Sequence, residues 1–352
     1  MEKIRILIVD DSPVVQLLLG RILSAEPDME VLGTASDPIE ASRWIRKEKP
    51  DVVTLDIEMP RLDGITFLKR LMSYRPVPVI MISSYTRKNS MQTIEALAAG
   101  AVDFVTKPTG SDLETGFVSL RDEIVAKIRA VSNARVKPPI MARNTVQKID
   151  IANPDTINQV IAIGASTGGT QIIQNILAGI SFLCRGIVIV QHMPEKYTLS
   201  FAKRLDQMLP FDVQEARDKD LLDHGKIFIC PGMQQMRVVR EKNGLMIRLD
   251  RVKPSPKRIS SVDALFHSVA ENIGREAVGI ILSGMGTDGA EGLLAMKRAG
   301  AYTIAQDKES CVVFGMPGAA INRGGARIVA SPKDIPALIF TNGQRGVRNR
   351  SL

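Results

Sequence analysis

Ile4-Arg5-Ile6-Leu7-Ile8-Val9-Asp10-Asp11-Ser12-Pro13 decides how the first third of this chain is read. An apolar strand, residues 4–9, ends in two carboxylates. Ser12 then offers a helix N-cap and Pro13 fits the first helical position, so residues 13–23 read as a helix. The same rhythm continues outward. Segments 31–33, 52–55, 79–82 and 102–105 read as strands, and 38–47, 64–72, 89–99 and 112–131 as helices. Five βα units in this length predict a doubly wound parallel sheet.

The rhythm breaks at residues 132–157. Ser132-Asn133-Ala134-Arg135-Val136-Lys137-Pro138-Pro139 is polar with paired prolines, and Asn153-Pro154-Asp155 follows, which reads as a linker. Alternation then resumes. Strands are expected at 159–163, 186–190, 278–282, 302–305 and 326–328, and helices at 170–178, 195–208, 262–273 and 290–298. Segments 225–229 and 235–239 read as shorter strands, and 244–249 completes an antiparallel patch. The expected organisation is a first α/β domain over 1–131, a linker over 132–157, a second doubly wound, mostly parallel α/β domain over 158–345, and a flexible tail over 346–352.

A length of 352 residues agrees with two domains at about 150 residues each. The 45% hydrophobic and 24% charged content is that of a soluble globular protein, which excludes intrinsic disorder and collagen-like structure. No apolar run approaches the roughly 20 residues of a membrane-spanning helix. The N-terminus has no signal-peptide layout, so the cytoplasm is the expected compartment. Cys184, Cys230 and Cys311 are odd in number and widely spaced. They read as small buried hydrophobes rather than a disulfide framework or zinc ribbon.

Net charge is −2 over residues 1–130 and +8 over 158–352. An anionic partner is therefore favoured for the second domain only. Residues 237–258 carry eight Lys/Arg against Glu241 and Asp250. The run reads as a solvated hairpin edge, with partner steering second. No aromatic residue interleaves with the charges, so base stacking is unsupported.

In open parallel sheets, ligands bind beyond the carboxyl ends of the strands. In the first domain Asp10, Asp11, Asp56, Ser83, Ser84 and Lys107 fall there. Three carboxylates on one edge repel, and a hard cation such as Mg²⁺ relieves this. Lys107 adds a charge suited to a phosphoryl oxygen, so the group fits a phosphoryl acceptor. With Ile8-Val9-Asp10-Asp11-Ser12, Leu55-Asp56-Ile57-Glu58-Met59-Pro60, Asp63-Gly64 and Thr106-Lys107-Pro108, the segment resembles the receiver domain of bacterial two-component response regulators. The resemblance implies Asp56 as the phosphorylated residue. It implies Asp11, Asp56 and the Glu58 backbone as Mg²⁺ ligands, with Asp10 assisting. Ser83 takes the switch hydroxyl position and Phe104 the switch aromatic position.

In the second domain three turns follow three apolar strands: Gly164-Ala165-Ser166-Thr167-Gly168-Gly169, Gln191-His192-Met193-Pro194 and Ser283-Gly284-Met285-Gly286-Thr287-Asp288-Gly289. If the strands are parallel neighbours, Ser166, His192 and Asp288 emerge at one edge. A hydroxyl, an imidazole and a carboxylate are the set that acyl transfer needs. Backbone N–H groups around Thr167 and Gly168, and from Gly284 through Met285 to Gly286, are candidate oxyanion donors. Taken singly, Asp288 reads as a helix N-cap. A rival reading makes the glycine-rich turns phosphate-binding loops, although no G-x-x-x-x-G-K-[ST] lysine is present. His224 and His267 read as surface residues.

Residues 159–340 resemble the effector domain of the chemotaxis protein-glutamate methylesterase (CheB) family. The resemblance is carried by the three turns and by Ser200-Phe201-Ala202, Ser261-Val262-Asp263, Ala305-Gln306-Asp307 and Val313-Phe314-Gly315-Met316-Pro317. It implies a Ser166–His192–Asp288 esterase that needs no cofactor of its own, with Thr167 and Met285 beside the triad. It also implies methylated chemoreceptors as substrate, a histidine kinase as phosphodonor, occlusion of the esterase edge by the unphosphorylated first domain, and glutamine deamidation in some members. No nucleic acid, no membrane insertion and a monomer are expected. Gln235, where the family usually has His, Arg258-Ile259-Ser260-Ser261, and Gly318 depart from the family pattern and bear on substrate preference. The competing class is a non-catalytic regulator whose basic effector binds protein or nucleic acid, but no helix-turn-helix follows the linker.

Overall fold

The computed structural model describes residues 2–59, 63–84, 86–108, 113–134, 136, 156–251 and 260–348. The chain divides into two units, Met1–Met141 and Ala142–Leu352.

The first unit runs β1 (Ile4–Val9), α1 (Pro13–Ser24), β2 (Met29–Ala35), α2 (Pro38–Glu48), β3 (Val52–Asp56), α3 (Gly64–Tyr74), β4 (Val79–Ser83), α4 (Arg87–Ala98), β5 (Asp103–Thr106) and α5 (Leu113–Val131). The sheet order is β2-β1-β3-β4-β5, and every pair is parallel. Central strands covered on both faces have no solvent side, so β3 and β4 are apolar and buried almost throughout. Ser12, Asp37, Asp63 and Thr86 each accept a backbone N–H at the start of the following helix. The strand order reverses between β1 and β3, which opens a crevice at their carboxyl ends.

The second unit begins with β6 (Thr156–Ile157), β7 (Val160–Ala165), α6 (Gly169–Ala178), β8 (Leu183–Cys184), β9 (Ile187–Gln191), α7 (Glu195–Met208), β10 (Asp212–Glu215), β11 (Lys226–Ile229), β12 (Gln234–Glu241) and β13 (Gly244–Arg251). It continues with α8 (Val262–Asn272), β14 (Ala277–Ile281), α9 (Ala290–Arg298), β15 (Tyr302–Gln306), α10 (Met316–Asn322), β16 (Ile328–Ala330) and α11 (Ile335–Arg348). Seven strands form a parallel sheet in the order β10-β11-β9-β7-β14-β15-β16. β12 and β13 form a separate antiparallel ribbon. Its apolar side chains Met236, Val238, Leu245 and Ile247 join Val262, Leu265, Phe266 and Val269 of α8 in one core.

Three differences from the sequence reading have physical causes. Segment 225–229 belongs to the main sheet as β11, not to the antiparallel patch. β10 is an edge strand whose sequence is mostly polar, and only Val213 of it is buried. The start of the segment read as a tail, residues 346–348, is helical and ends α11 at Arg348. Ile335 and Ile339 of α11 are fully buried, and Phe340 packs on Phe182 with ring centroids 5.2 Å apart. Docking an apolar face fixes this helix despite its polar remainder. Residues 349–352 and most of the expected linker lie outside the described residues. Among the described residues no helix is long and apolar enough to cross a membrane.

Candidate active site

β9, β7 and β14 are adjacent parallel strands at the centre of the seven-stranded sheet. Ser166 follows β7, His192 follows β9, and the turn from Ser283 to Asp288 follows β14. The strands are thus the parallel neighbours that the sequence reading supposed. Backbone hydrogen bonds continue past the strand ends and set the spacing of the turns. The His192 N–H donates to the Ala165 carbonyl at 2.9 Å, and the Ser166 N–H to the Ser283 carbonyl at 3.0 Å.

One side chain joins the Ser166 and His192 turns directly. Gln191 Nε2 donates to the Ser166 carbonyl at 2.9 Å and to the His192 carbonyl at 3.1 Å. Its buried amide oxygen faces Gly169 and has no hydrogen-bond partner among the described residues, so the amide is oriented by its two donor contacts. The sequence signal was a polar residue ending an otherwise apolar strand.

His192 Nε2 lies 2.9 Å from Asp288 Oδ2. The pair is mostly sheltered, with side-chain exposures of 8% and 26%. An Nε2–H donated to the carboxylate leaves Nδ1 as the basic ring nitrogen. The Ser166 hydroxyl makes no hydrogen bond to that ring among the described residues. Nucleophile–base contacts are commonly long before substrate binds. Burial pushes the Asp288 carboxyl up, but hydrogen bonds from His192 and from the Asp263 and Val262 N–H groups outweigh it and bring the group down to about 2. Burial, reinforced by the nearby Asp288 charge, leaves Asp263 raised.

Asp288 does not cap the helix it precedes; Gly289 holds the N-cap position of α9. Gly284 is glycine because of close packing: a Cβ there would overlap Met316 Sδ and lie 2.7 Å from the Ser166 Cβ. Its N–H donates to the Val313 carbonyl at 3.1 Å, which removes it from the candidate oxyanion donors. The Met285 N–H donates to nothing among the described residues, and the Met285 side chain is exposed beside it. Thr167 is buried, and its carbonyl accepts the Ser283 hydroxyl at 2.8 Å. Gly168 adopts a φ of 77°, where a side chain would be strained.

Two of the four arginines of the hairpin strands are ion-paired, Arg237 with Asp250 and Arg248 with Glu241 and Asp218, and Arg240 donates to the Asn272 carbonyl. This agrees with a solvated edge. Cys184 and Cys230 are buried, Cys311 is partly so, and burial pushes all three thiols up to about 12. His224 and His267 are exposed.

In the first unit, ligand oxygens of Asp10, Asp11 and Asp56 lie within 4.8 Å of one another. Lys107 Nζ is 2.8 Å from Asp10 Oδ2 and 2.9 Å from Asp56 Oδ2. Burial raises the Asp56 carboxyl to about 6 against the charge of Lys107, while Asp10 adds to the rise. Burial lowers the Lys107 ammonium, but Asp56 and Asp10 outweigh it and leave it raised. The Glu58 side chain is exposed, and its backbone N–H bonds the Asp56 carboxyl. Three oxygen donors at one edge, two of them buried, fit a hard divalent cation. The Ser83 hydroxyl is buried 2.8 Å from the hydroxyl of Thr93 on α4, a partner the sequence reading did not find. Phe104 is buried, with Lys127 Nζ 5.5 Å from its ring centroid.

An acidic crevice on a (βα)5 unit, joined in one chain to a parallel α/β unit with a Ser-His-Asp edge, defines a response regulator with a hydrolase-type effector. The profile of the response regulator receiver domain matches residues 6–115, and that of CheB methylesterase matches residues 161–339. The chain is 46% identical over 337 residues to the protein-glutamate methylesterase/protein-glutamine glutaminase of Syntrophotalea carbinolica, covering 94% of this chain and 95% of that protein. It is 46% identical over 351 residues to the protein of the same description from Bordetella bronchiseptica, covering 99% and 100%. The crystal structure of the Thermotoga maritima CheB methylesterase catalytic domain superposes with a TM-score of 0.50 at 34% identity, covering 98% of that chain and 52% of this one. The chain belongs to the CheB methylesterase family.

Proposed function

We propose that this protein is a phosphorylation-activated protein-glutamate methylesterase that hydrolyses γ-glutamyl methyl esters on chemoreceptors, with Ser166, His192 and Asp288 as its catalytic residues. The observation that carries the reading is the emergence of these residues from three neighbouring parallel strands, with His192 Nε2 at 2.9 Å from Asp288. Nδ1 of His192 takes the Ser166 hydroxyl proton as Oγ attacks the ester carbonyl. Asp288 holds the imidazolium that forms. The Met285 N–H stabilises the developing oxyanion. The C–OCH₃ bond then breaks, and His192 returns the proton to methoxide, so methanol leaves and a glutamyl ester of Ser166 remains. His192 next activates water, which attacks the acyl carbonyl. Ser166 regains its proton and glutamate is released. The same sequence with ammonia as leaving group deamidates glutamine, in line with the glutaminase activity in the relatives' names.

Asp56 is the proposed phosphoacceptor, with Lys107 neutralising charge on the phosphoryl oxygens and Ser83 and Phe104 as switch residues. Asp10, Asp11, Asp56 and the Glu58 backbone would hold Mg²⁺, which when bound supplies charge neutralisation for phosphoryl transfer. A chemotaxis-type histidine kinase is the phosphodonor in this reading, and the cytoplasm its compartment. Phosphorylation shifts a population between two arrangements that differ in esterase activity. The test is methanol release from methylated receptor membranes, with and without phosphodonor. Ser166→Ala protein retaining the wild-type rate would overturn the assignment.

A further inference from the structure

The Asp288 carboxylate crosses to the N-terminus of α8. Oδ2 accepts the Val262 N–H at 2.7 Å, and Oδ1 accepts the Asp263 N–H at 3.0 Å and the Ser261 hydroxyl at 2.9 Å. The same hydroxyl accepts the Ala264 N–H at 3.3 Å as N-cap of α8. Ser261 thus caps its helix with a lone pair and spends its proton on the acid. Its own N–H is held by Gln235 Oε1 at 2.8 Å, from β12. The helices also interlock in the other direction, because the Asp263 carboxylate accepts the Gly292 N–H of α9 at 2.6 Å. A helix cap alone would leave the Ser261 proton free to turn toward solvent; here it is aimed at the one oxygen of Asp288 that His192 does not use.

We propose that Ser261 is a positioning residue for the esterase: its hydroxyl fixes Asp288 Oδ1, so that Oδ2 faces His192, and tempers how strongly the carboxylate holds the imidazolium. This rests on the Ser166–His192–Asp288 reading. The titratable groups facing Asp288 among the described residues are His192, after β9, and Asp263, in the first turn of α8. Without the Ser261 proton the carboxylate is more basic. It then stabilises protonated His192, and the base becomes available only at higher pH.

The test uses full-length Ser261→Ala, Ser261→Gly and Ser261→Thr proteins, with Ser166→Ala as control. The rate of labelling by a fluorophosphonate probe is measured from about pH 5 to 9, the range in which imidazole titrates, together with thermal melting. Ser261→Ala and Ser261→Gly are expected to move the acid limb of the profile upward. They should also slow labelling at neutral pH about tenfold, the worth of one hydrogen bond to a charged group. Ser261→Thr, which keeps the hydroxyl, should restore both. Glycine caps nearly as well as serine, so Ser261→Gly isolates the lost proton from the lost cap if Ser261→Ala folds poorly. Wild-type limbs and rates in the Ala and Gly proteins would reduce Ser261 to a helix cap and overturn the proposal. Equal labelling of wild type and Ser166→Ala would instead remove the triad reading beneath it.

Discussion

His192 Nε2 and Asp288 Oδ2 stand 2.9 Å apart, and the same oxygen accepts the Val262 N–H at 2.7 Å. The Asp288 carboxylate is therefore bound on one side to the His192 imidazole and on the other to a helix start. Asp288→Asn should lower esterase activity by about 10³- to 10⁴-fold, because an amide neither fixes the tautomer nor balances the imidazolium. It should also cost about 1–3 kcal/mol of stability by placing an N–H against donors. Ser166→Ala should abolish turnover with a stability change of only about 0.5 kcal/mol. Methanol release and thermal melting of the two proteins separate these effects.

Asp288 also predicts a pH dependence. Its folded-state value of about 2 lies below the ordinary 3.8. A depressed carboxyl stabilises the fold fully above its unfolded value, and the stabilisation is lost as pH falls through the folded value. The melting difference between wild type and Asp288→Asn should shrink by about 2 kcal/mol as pH falls from about 5 to 2. A difference independent of pH over that interval would contradict the carboxylate's hydrogen bonding.

Gln191 ties the Ser166 and His192 carbonyls together. Gln191→Met keeps the volume and removes both donors. The expected result is a kcat lower by about tenfold with KM unchanged, as for a loss confined to the transition state. Steady-state kinetics on methylated receptors reads this directly. A rise in KM alone would mean that the amide serves substrate binding instead.

Gly284 has no room for a methyl group beside Met316 and Ser166. Gly284→Ala should cost about 1–3 kcal/mol and displace the Ser166 turn. Fluorophosphonate labelling should fall further than the fraction of folded protein, as measured by circular dichroism at the assay temperature.

In the first unit, Asp56→Asn should abolish incorporation of phosphate from acetyl phosphate, and Lys107→Ala should slow it by at least about tenfold. Chelation of divalent cations should have the effect of the Asp56 substitution in wild-type protein. Both are read from radiolabelled phosphoprotein.

The strands that carry chemistry were legible because continuous apolar runs such as Val79–Ser83 have no other stable use, and each ends in polar residues at one edge. The site itself was less so. Asp288 lies just before α9 in sequence and reads as its cap, whereas its carboxylate is used 25 residues upstream, at Asp263. Side-chain bonds between distant turns leave no period in the sequence, which is why Ser261, Gln191 and Thr93 were missed as partners. β10 and α11 escaped for a different reason. Each is held by one narrow apolar face, and a strand or helix so mixed in composition is recognised only once its packing neighbour is known.

Ser166, His192 and Asp288 follow the three middle strands of a seven-stranded sheet, with two strands outside them on either flank. Fraying starts at margins, where β10 and β16 have a neighbour on one side only. Amide exchange should accordingly reach the frame of the catalytic machinery last, and hydrolytic capacity on warming should vanish with the cooperative collapse of the domain rather than before it.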